Sequence, residues 1–343
     1  MGGAALAGTV NSGGTILFSR QNHWYTIAPN GTHLRMLLSD TAGCPSFGCA
    51  AFSPDGTRVM VAAQSANTMQ VATAVISTTG SGYHLLPLPD ARLNLGPGAW
   101  TPNGSRMALD GWGDSNKTRA GIYVVNASDG KGLTRLTTSP DGRHDDALAY
   151  SPDGSRLLFF HEGLRASRDP DFGDLLTATA TRAGRVRLNP PGTEVAGAWG
   201  AGSWSPDGKQ IAFTAYDNTN SGESAVFVVG ANGSNRHRIT AWGKWMTSAH
   251  WSSVGNWIEF DKGGVGTAHN LYLIHPNGTG VKQITFSSLD GLCCAVWSPD
   301  GKKLLTVQQD DRYLVTMNWN GSGIRRLTHA DMSSSNAEYA WGR

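Results

Sequence analysis

The sequence predicts an all-β fold, a seven-bladed β-propeller of four-stranded antiparallel blades. Three observations carry that expectation: a glycine- and tryptophan-rich composition, an aromatic-and-turn motif that recurs along the chain, and a tail that supplies the strand the beginning lacks. Of 343 residues, 44 are glycine and 12 tryptophan, while only 16% are charged. Such a chain suits many short strands joined by tight turns and packed through aromatics rather than long helices.

The repeat is read by aligning the aromatic that precedes each turn. The copies are "CAAFSPDGTRVMVAA", "GAWTPNGSRMALDG", "ALAYSPDGSRLLFFH", "GSWSPDGKQIAFTA", "AHWSSVGNWIEFDK" and "AVWSPDGKKLLTVQ". Their aromatics are Phe52, Trp100, Tyr150, Trp204, Trp251 and Trp297, with Trp341 in "YAWGR" as a seventh, spaced 44 to 54 residues apart. That period is the length of a four-stranded propeller blade.

Each repeat holds four pieces, here called A to D. Piece A is a short strand of small residues ending in the aromatic. A Pro-Asp-Gly turn follows, in which proline presets φ and glycine tolerates positive φ. Piece B is an apolar strand, piece C resembles "GIYVVNASDG", and piece D resembles "LTRLTT". Asn-Gly and Asp-Gly pairs mark the C–D hairpins; turn chemistry accounts for the sequons at Asn30, Asn277 and Asn320 there and at Asn103 in an A–B turn. A turn repeated at one period is scaffold rather than active site.

The chain opens on pieces B, C and D ("TILFSR", "HWYTIAPNGT", "HLRMLL") and ends on a lone A ("NAEYAWGR"). The two ends are expected to complete one blade, which removes the open sheet edges of an unclosed array. The expected organisation is a single domain over 1–343, with one blade split between about 14–38 and 336–343 and six more over about 48–330.

The motif "AxWSPDGxxIAF … IYVxxxDG … RLT" resembles the TolB-like, WD-related propeller family over nearly the whole chain, from about Thr15 to Trp341. The resemblance implies the fold and an extracytoplasmic setting, periplasmic or secreted. It says little of activity, because the shared motif is the structural turn. The fifth copy departs from it, with Ser253-Val254-Gly255 in place of Pro-Asp-Gly.

Charge narrows the partners. A formal net charge of +2, from 28 basic and 26 acidic residues without blocks, gives no footprint for nucleic acid. No apolar run is long enough for a membrane span. The opening "MGGAALAGTV" has no basic, apolar leader and reads as the start of a mature or trimmed domain. A monomer is expected. Cys44 and Cys49 enclose "PSFG", a loop compatible with a disulfide or with two reduced thiols, and Cys293 and Cys294 are adjacent. Neither pair has the spacing of a zinc or redox motif.

The A–B and C–D turns share one face and are short. The B–C and D–A connections share the other and vary, so recognition of a glycan or protein ligand is expected there. The candidate catalytic residues are His144, His161, His250, His269, Arg165 and Tyr216, which suit proton abstraction beside a uronate carboxylate in a polysaccharide lyase. Candidate ligand-binding residues are Arg20, His23, Trp24, Trp112, Arg143, Arg168, Trp242 and Trp245. In "DPDFGD", Asp169, Asp171 and Asp174 are spaced for calcium or another divalent metal ion, without the terminal Glu of an EF-hand loop. Further acids, among them Asp145, Asp146 and Asp261, crowd the same face.

Overall fold

The computed structural model describes residues 13–20, 23–39, 50–65, 70–90, 92–139, 142–163, 172–180, 184–196, 202–218, 223–264, 267–286, 291–308, 313–328 and 339–343. Pieces A to D become four antiparallel strands bonded in chain order. In the sheet that carries Trp100 these are Asn94–Trp100, Arg106–Trp112, Gly121–Asn126 and Thr134–Arg135. The sheets of Phe52, Trp251 and Trp297 have the same plan. The Trp341 sheet is discontinuous in sequence: Tyr339–Gly342 pairs with Thr15–Arg20, setting Trp341 opposite Ile16 and Tyr339 opposite Phe18.

One feature has no counterpart in the four-piece repeat. Thr193–Ala196 pairs with Phe172 and Gly173 on one side and with Tyr216 and Asp217 on the other, joining the Tyr150 and Trp204 strands into a ten-stranded sheet.

The turns do the work their sequence assigns. In the Ser-Pro-Asp-Gly copies the glycine N–H donates to the serine carbonyl, as in Gly208 to Ser205 at 2.9 Å and Gly301 to Ser298 at 2.9 Å. The glycines hold φ of 70° and 66° there, a conformation that costs a β-carbon residue steric strain. The aspartate accepts from the serine hydroxyl, at 2.5 Å for Ser151 to Asp153 and 2.7 Å for Ser205 to Asp207. Those hydroxyls hold Asp153 and Asp207 below the ordinary carboxylate value.

The recurrent aromatic is a clasp between repeats. Trp100 Nε1 donates to Ala51 O at 3.2 Å, Trp204 Nε1 to Ala149 O at 3.1 Å and Trp297 Nε1 to His250 O at 3.0 Å, each in the A strand of the preceding repeat. The threonine after the aliphatic residue of piece D also repeats: Thr137, Thr240 and Thr285 hydroxyls accept from Ile122, Val226 and Leu271 N–H.

The core lies between sheets. Each apolar cluster is shared by the strands of two successive repeats, as where Met60 and Val75 meet Leu95, Trp100 and Met107. The Trp341 sheet shares Ile16 and Phe18 with Leu305 and Leu314, and shares Leu17 and Trp24 with Val59 and Val61. Fully buried side chains such as Phe18, Phe159 and Phe213 contribute roughly 1.5–3 kcal/mol each.

The paired cysteines find a partial explanation. The inner strands slip register before the aromatic, between Pro97 and Ala99, Ala147 and Ala149, Thr247 and Ala249, and Cys293 and Val296. Cys294 sits in that bulge with φ of 61°, and its carbonyl accepts from Tyr339 O–H at 2.6 Å. Its place is therefore set by strand geometry. Cys44 and Cys49 lie outside the described residues.

Candidate functional site

The rim formed by the B–C and D–A connections carries two similar side-chain units. In the first, Asp145 begins its A strand directly opposite His161, near the end of the B strand. His161 Nδ1 lies 2.6 Å from Asp145 Oδ1, and Thr137 Oγ1 donates to Asp145 Oδ2 at 2.5 Å. Arg185 adds an ion pair at 3.3 Å. The Asp145 side chain is fully buried, whereas the His161 side chain keeps 17% exposure.

In the second unit Thr247 Oγ1 donates to Asp261 Oδ1 at 2.6 Å, and His269 Nδ1 lies 2.8 Å from Asp261 Oδ2. Asp261 is again fully buried and the His269 side chain is 20% exposed. A carboxylate oxygen can only accept, so each histidine donates a proton from Nδ1 and directs Nε2 away from the aspartate.

These units are not scaffold repeats. Asp145 comes from an A strand and Asp261 from a B strand, and His161 ends a B strand whereas His269 lies near the start of a C strand. The turn serines and clasp tryptophans, by contrast, recur at equivalent positions. The same Thr–Asp–His contact built twice from non-equivalent positions is what the scaffold does not require.

Beside the first unit lies a buried acidic group. Asp110 is 1% and Asp146 4% exposed. Ala147 N–H donates to Asp110 Oδ1 at 2.7 Å, while Asp110 Oδ2 and Asp146 Oδ1 have no partner among the described residues. Burial, reinforced by Glu162 and Asp145, pushes Asp146 up to about 8. Burial and the neighbouring Asp146 push Asp110 well above the ordinary carboxylate value. Glu162 accepts from His144 N–H at 3.1 Å, and the His144 ring lies 5.6 Å from that of Trp112.

The other expected residues divide. Arg143, whose guanidinium donates to Glu162 O at 3.1 Å, stands with this group. Tyr216 packs edge-on against Phe172, and burial, with Asp261 and Cys294 nearby, drives its phenol far above its usual value. Trp245 is 40% exposed at the rim with φ of 58°. Arg165, Arg168, Asp169 and Asp171 lie outside the described residues.

Several expectations need correction. His250 does not repeat the place of His144: it stands next to Trp251 at the turn end of its strand. Its Nδ1 meets Ala295 O at 2.6 Å, and burial lowers its basicity. Trp24 is not in a loop but in the strand His23–Ile27, 4% exposed in the apolar core. Arg20 and His23 face each other as a strand pair at the same hairpin. Trp242 packs on Phe227 with Arg238 over its ring, which makes it a prop of its own sheet. Asp174 is engaged by Arg187 at 2.8 Å and by Asn189 at 3.1 Å. Among the described residues no three His, Cys, Asp or Glu side chains come together to hold a metal ion.

Sequence reasoning missed Thr137, Thr247, Arg185 and Asp110. A signal for Asp110 was present: it is the lone acid in the apolar strand "RMALDGW". The threonines gave none, since Thr137 also serves the repeat as a strand cap.

A groove of about 580 Å³ lies on the opposite, turn face, lined by Asp153, Arg156, Asp207, Lys209, Asn232 and Ser234 among others. Its acids and amide are already bonded within their turns. It is a product of turn packing, and the chemistry lies on the other rim.

Antiparallel four-strand sheets packed face to face, clasped at one turn face and irregular at the other, define a protein of the β-propeller class. Residues 188–338 match the TolB beta propeller domain family, so that part of the chain is TolB-like propeller. Solved structures agree at the level of fold. TolB from Acinetobacter baumannii is 17% identical, with 94% of this chain and 79% of that one covered at a TM-score of 0.52. An oligogalacturonate lyase from Vibrio parahaemolyticus is 11% identical, covering 83% and 80% at 0.59. An oligogalacturonate lyase in complex with manganese is 15% identical, covering 82% and 74% at 0.54. No curated protein sequence matches the chain. No described helix is long and apolar enough to cross a membrane.

Proposed function

We propose that this is an extracytoplasmic, single-domain propeller of seven blades over 1–343 that binds a carboxylate-bearing glycan at its variable rim. Ring closure is supported by the pairing of Ile16 with Trp341 and by the core clusters that the terminal sheet shares on both sides. The TolB-like family supports the extracytoplasmic setting.

The observation that carries the recognition reading is the duplicated Thr–Asp–His unit at Thr137, Asp145 and His161 and at Thr247, Asp261 and His269. A buried carboxylate that fixes an imidazole tautomer gives an oriented Nε2 acceptor for ligand hydroxyls. Arg143 and Arg185, beside the first unit, supply charge for carboxylates. Titration calorimetry with acidic and neutral oligosaccharides tests this. Binding of acidic members that His161→Ala and His269→Ala each weaken about tenfold or more, ~1.4 kcal/mol, is expected; no binding, or binding indifferent to both changes, refutes it.

A second reading rests on the same Nε2 atoms. Each can take a proton from the carbon beside a uronate carboxylate while the neighbouring C–O bond breaks, leaving an unsaturated sugar, with the departing oxygen protonated by a second group. The appearance of unsaturated-uronate absorbance on mixing with acidic polysaccharide separates this lyase reading from binding alone.

A further inference from the structure

The repeat provides an internal control for its own turns. Two residues after the A–B turn glycine the copies carry Arg58, Arg106, Arg156, Gln210 and Lys303, but the Trp251 sheet carries Trp257. Two residues before the C–D turn glycine stand Pro29, Thr78, Ser128, Ala231 and Pro276, but the Trp297 sheet carries Trp319. One position earlier, Ala28, Ser77, Ala127, Gly230 and Asn318 have His275 as their counterpart. Small or polar residues satisfy the scaffold elsewhere, so the blade does not demand rings at these places.

The three exceptional rings nevertheless meet. His275 and Trp257 stack with centroids 3.8 Å apart and planes 23° apart; Trp257 and Trp319 are 6.3 Å and 27° apart. His275 Nδ1 is fixed on Asn256 O at 2.9 Å. Of the six A–B turns in the repeat this is also the one without proline; Val254 there is 63% exposed, and Trp319 is 37% exposed. The result is a near-parallel aromatic platform across two sheets on the turn face, opposite the rim described above.

Its surroundings are cationic. Lys282 Nζ lies 5.6 Å from the Trp319 ring centroid. Lys302 accepts at its carbonyl from Trp319 N–H, and Lys303 pairs with Asn318. The acid close by, Asp300, is held by Ser298 O–H and Lys302 N–H and lies 3.8 Å from Lys302 Nζ, which leaves Lys282 as the ammonium placed at the rings. Flat apolar faces next to an ammonium group fit a ligand with apolar ring faces and negative charge. Against single-stranded nucleic acid, which also stacks on aromatics, stands a chain of net charge +2 without a basic groove.

We propose that Trp257, His275 and Trp319, with Lys282, form a second binding site on the turn face for an acidic glycan chain, whose sugar faces stack on the indoles and whose carboxylates pair with Lys282. It is separate from the rim and stands whether or not the rim binds sugar.

The test follows indole N–H signals by NMR during titration with alginate oligosaccharides, with cello-oligosaccharides and poly-glutamate in parallel. The Trp257 and Trp319 signals shift with alginate and only weakly with the neutral sugar. Trp257→Arg and Trp319→Ala, residues that sibling blades carry at those places, each weaken that binding about tenfold, ~1.4 kcal/mol, while leaving the melting temperature near wild type. His161→Ala leaves the two shifts in place, which separates this site from the rim. Silent Trp257 and Trp319 signals, affinity unchanged in both variants, or poly-glutamate binding as tightly as alginate each overturn the proposal; the last assigns the platform to an acidic peptide.

Discussion

Replacing Asp146 by Asn tests the electrostatics of the rim at its most buried point. Asp146 is 4% exposed, with Oδ1 unpartnered among the described residues, and is pushed from an ordinary 3.8 to about 8, by burial first and then by Glu162 and Asp145. The folded protein therefore holds a proton there that the unfolded chain has released between pH 3.8 and about 8. Because the folded form binds the extra proton, stability is greatest at the acid end of that window and falls as pH rises through about 8. At ~1.4 kcal/mol per pH unit, the interval corresponds to a cost on the order of 5 kcal/mol once the group is ionised. Asn keeps the shape and removes the charge, and its amide can donate towards the neighbouring acids. Urea unfolding followed by tryptophan fluorescence at pH 5, 7 and 9 is the assay. Asp146→Asn is expected to match wild type near pH 5 and to exceed it by several kcal/mol at pH 9. Parallel pH profiles for the two proteins would refute the reasoning.

Three further outcomes follow from the same contacts. Trp204→Phe removes the Nε1 bond to Ala149 O at 3.1 Å and is expected to cost ~1 kcal/mol in unfolding free energy, with ligand binding at the rim unchanged. Gly321 has φ of 84°, and a β-carbon there would lie 1.8 Å from Ile284 O in the neighbouring sheet, so Gly321→Ala is expected to cost more than ~1 kcal/mol, read as a lowered urea midpoint. Asp261→Asn loses the acceptor that fixes His269 and is expected to weaken rim binding about tenfold, ~1.4 kcal/mol, in calorimetry, while Thr240→Ser, which keeps a hydroxyl for Val226 N–H, leaves it intact.

The fold was legible because its signals are local and periodic. The Ser-Pro-Asp-Gly turn closes on its own atoms, and the aromatic before it reports the clasp to the preceding repeat. Even the pairing of Ile16 with Trp341 could be anticipated, since the pieces at the two ends were complementary. The strand Thr193–Ala196 was not, because its partners belong to two different repeats.

The site was legible only in part. His161 and His269 stand on the expected rim, but what distinguishes them is a buried aspartate reached across a hairpin, and for His161 a threonine from the preceding sheet. Such contacts have no fixed spacing in the chain. His250 and Trp24 show the converse error: residue type suggested a ligand, while strand position directed both side chains inward.

The central claim is that buried Asp145 and Asp261 hold the His161 and His269 imidazoles in one orientation at the rim, through Nδ1, for recognition of a ligand. Long-range proton–nitrogen NMR of the imidazoles tests it most directly. Both rings observed as the Nδ1–H tautomer, with their Nε2 resonances moving when an acidic oligosaccharide is added, is the expected result. Rings that exchange between tautomers, or Nε2 signals indifferent to every oligosaccharide that binds, would contradict it.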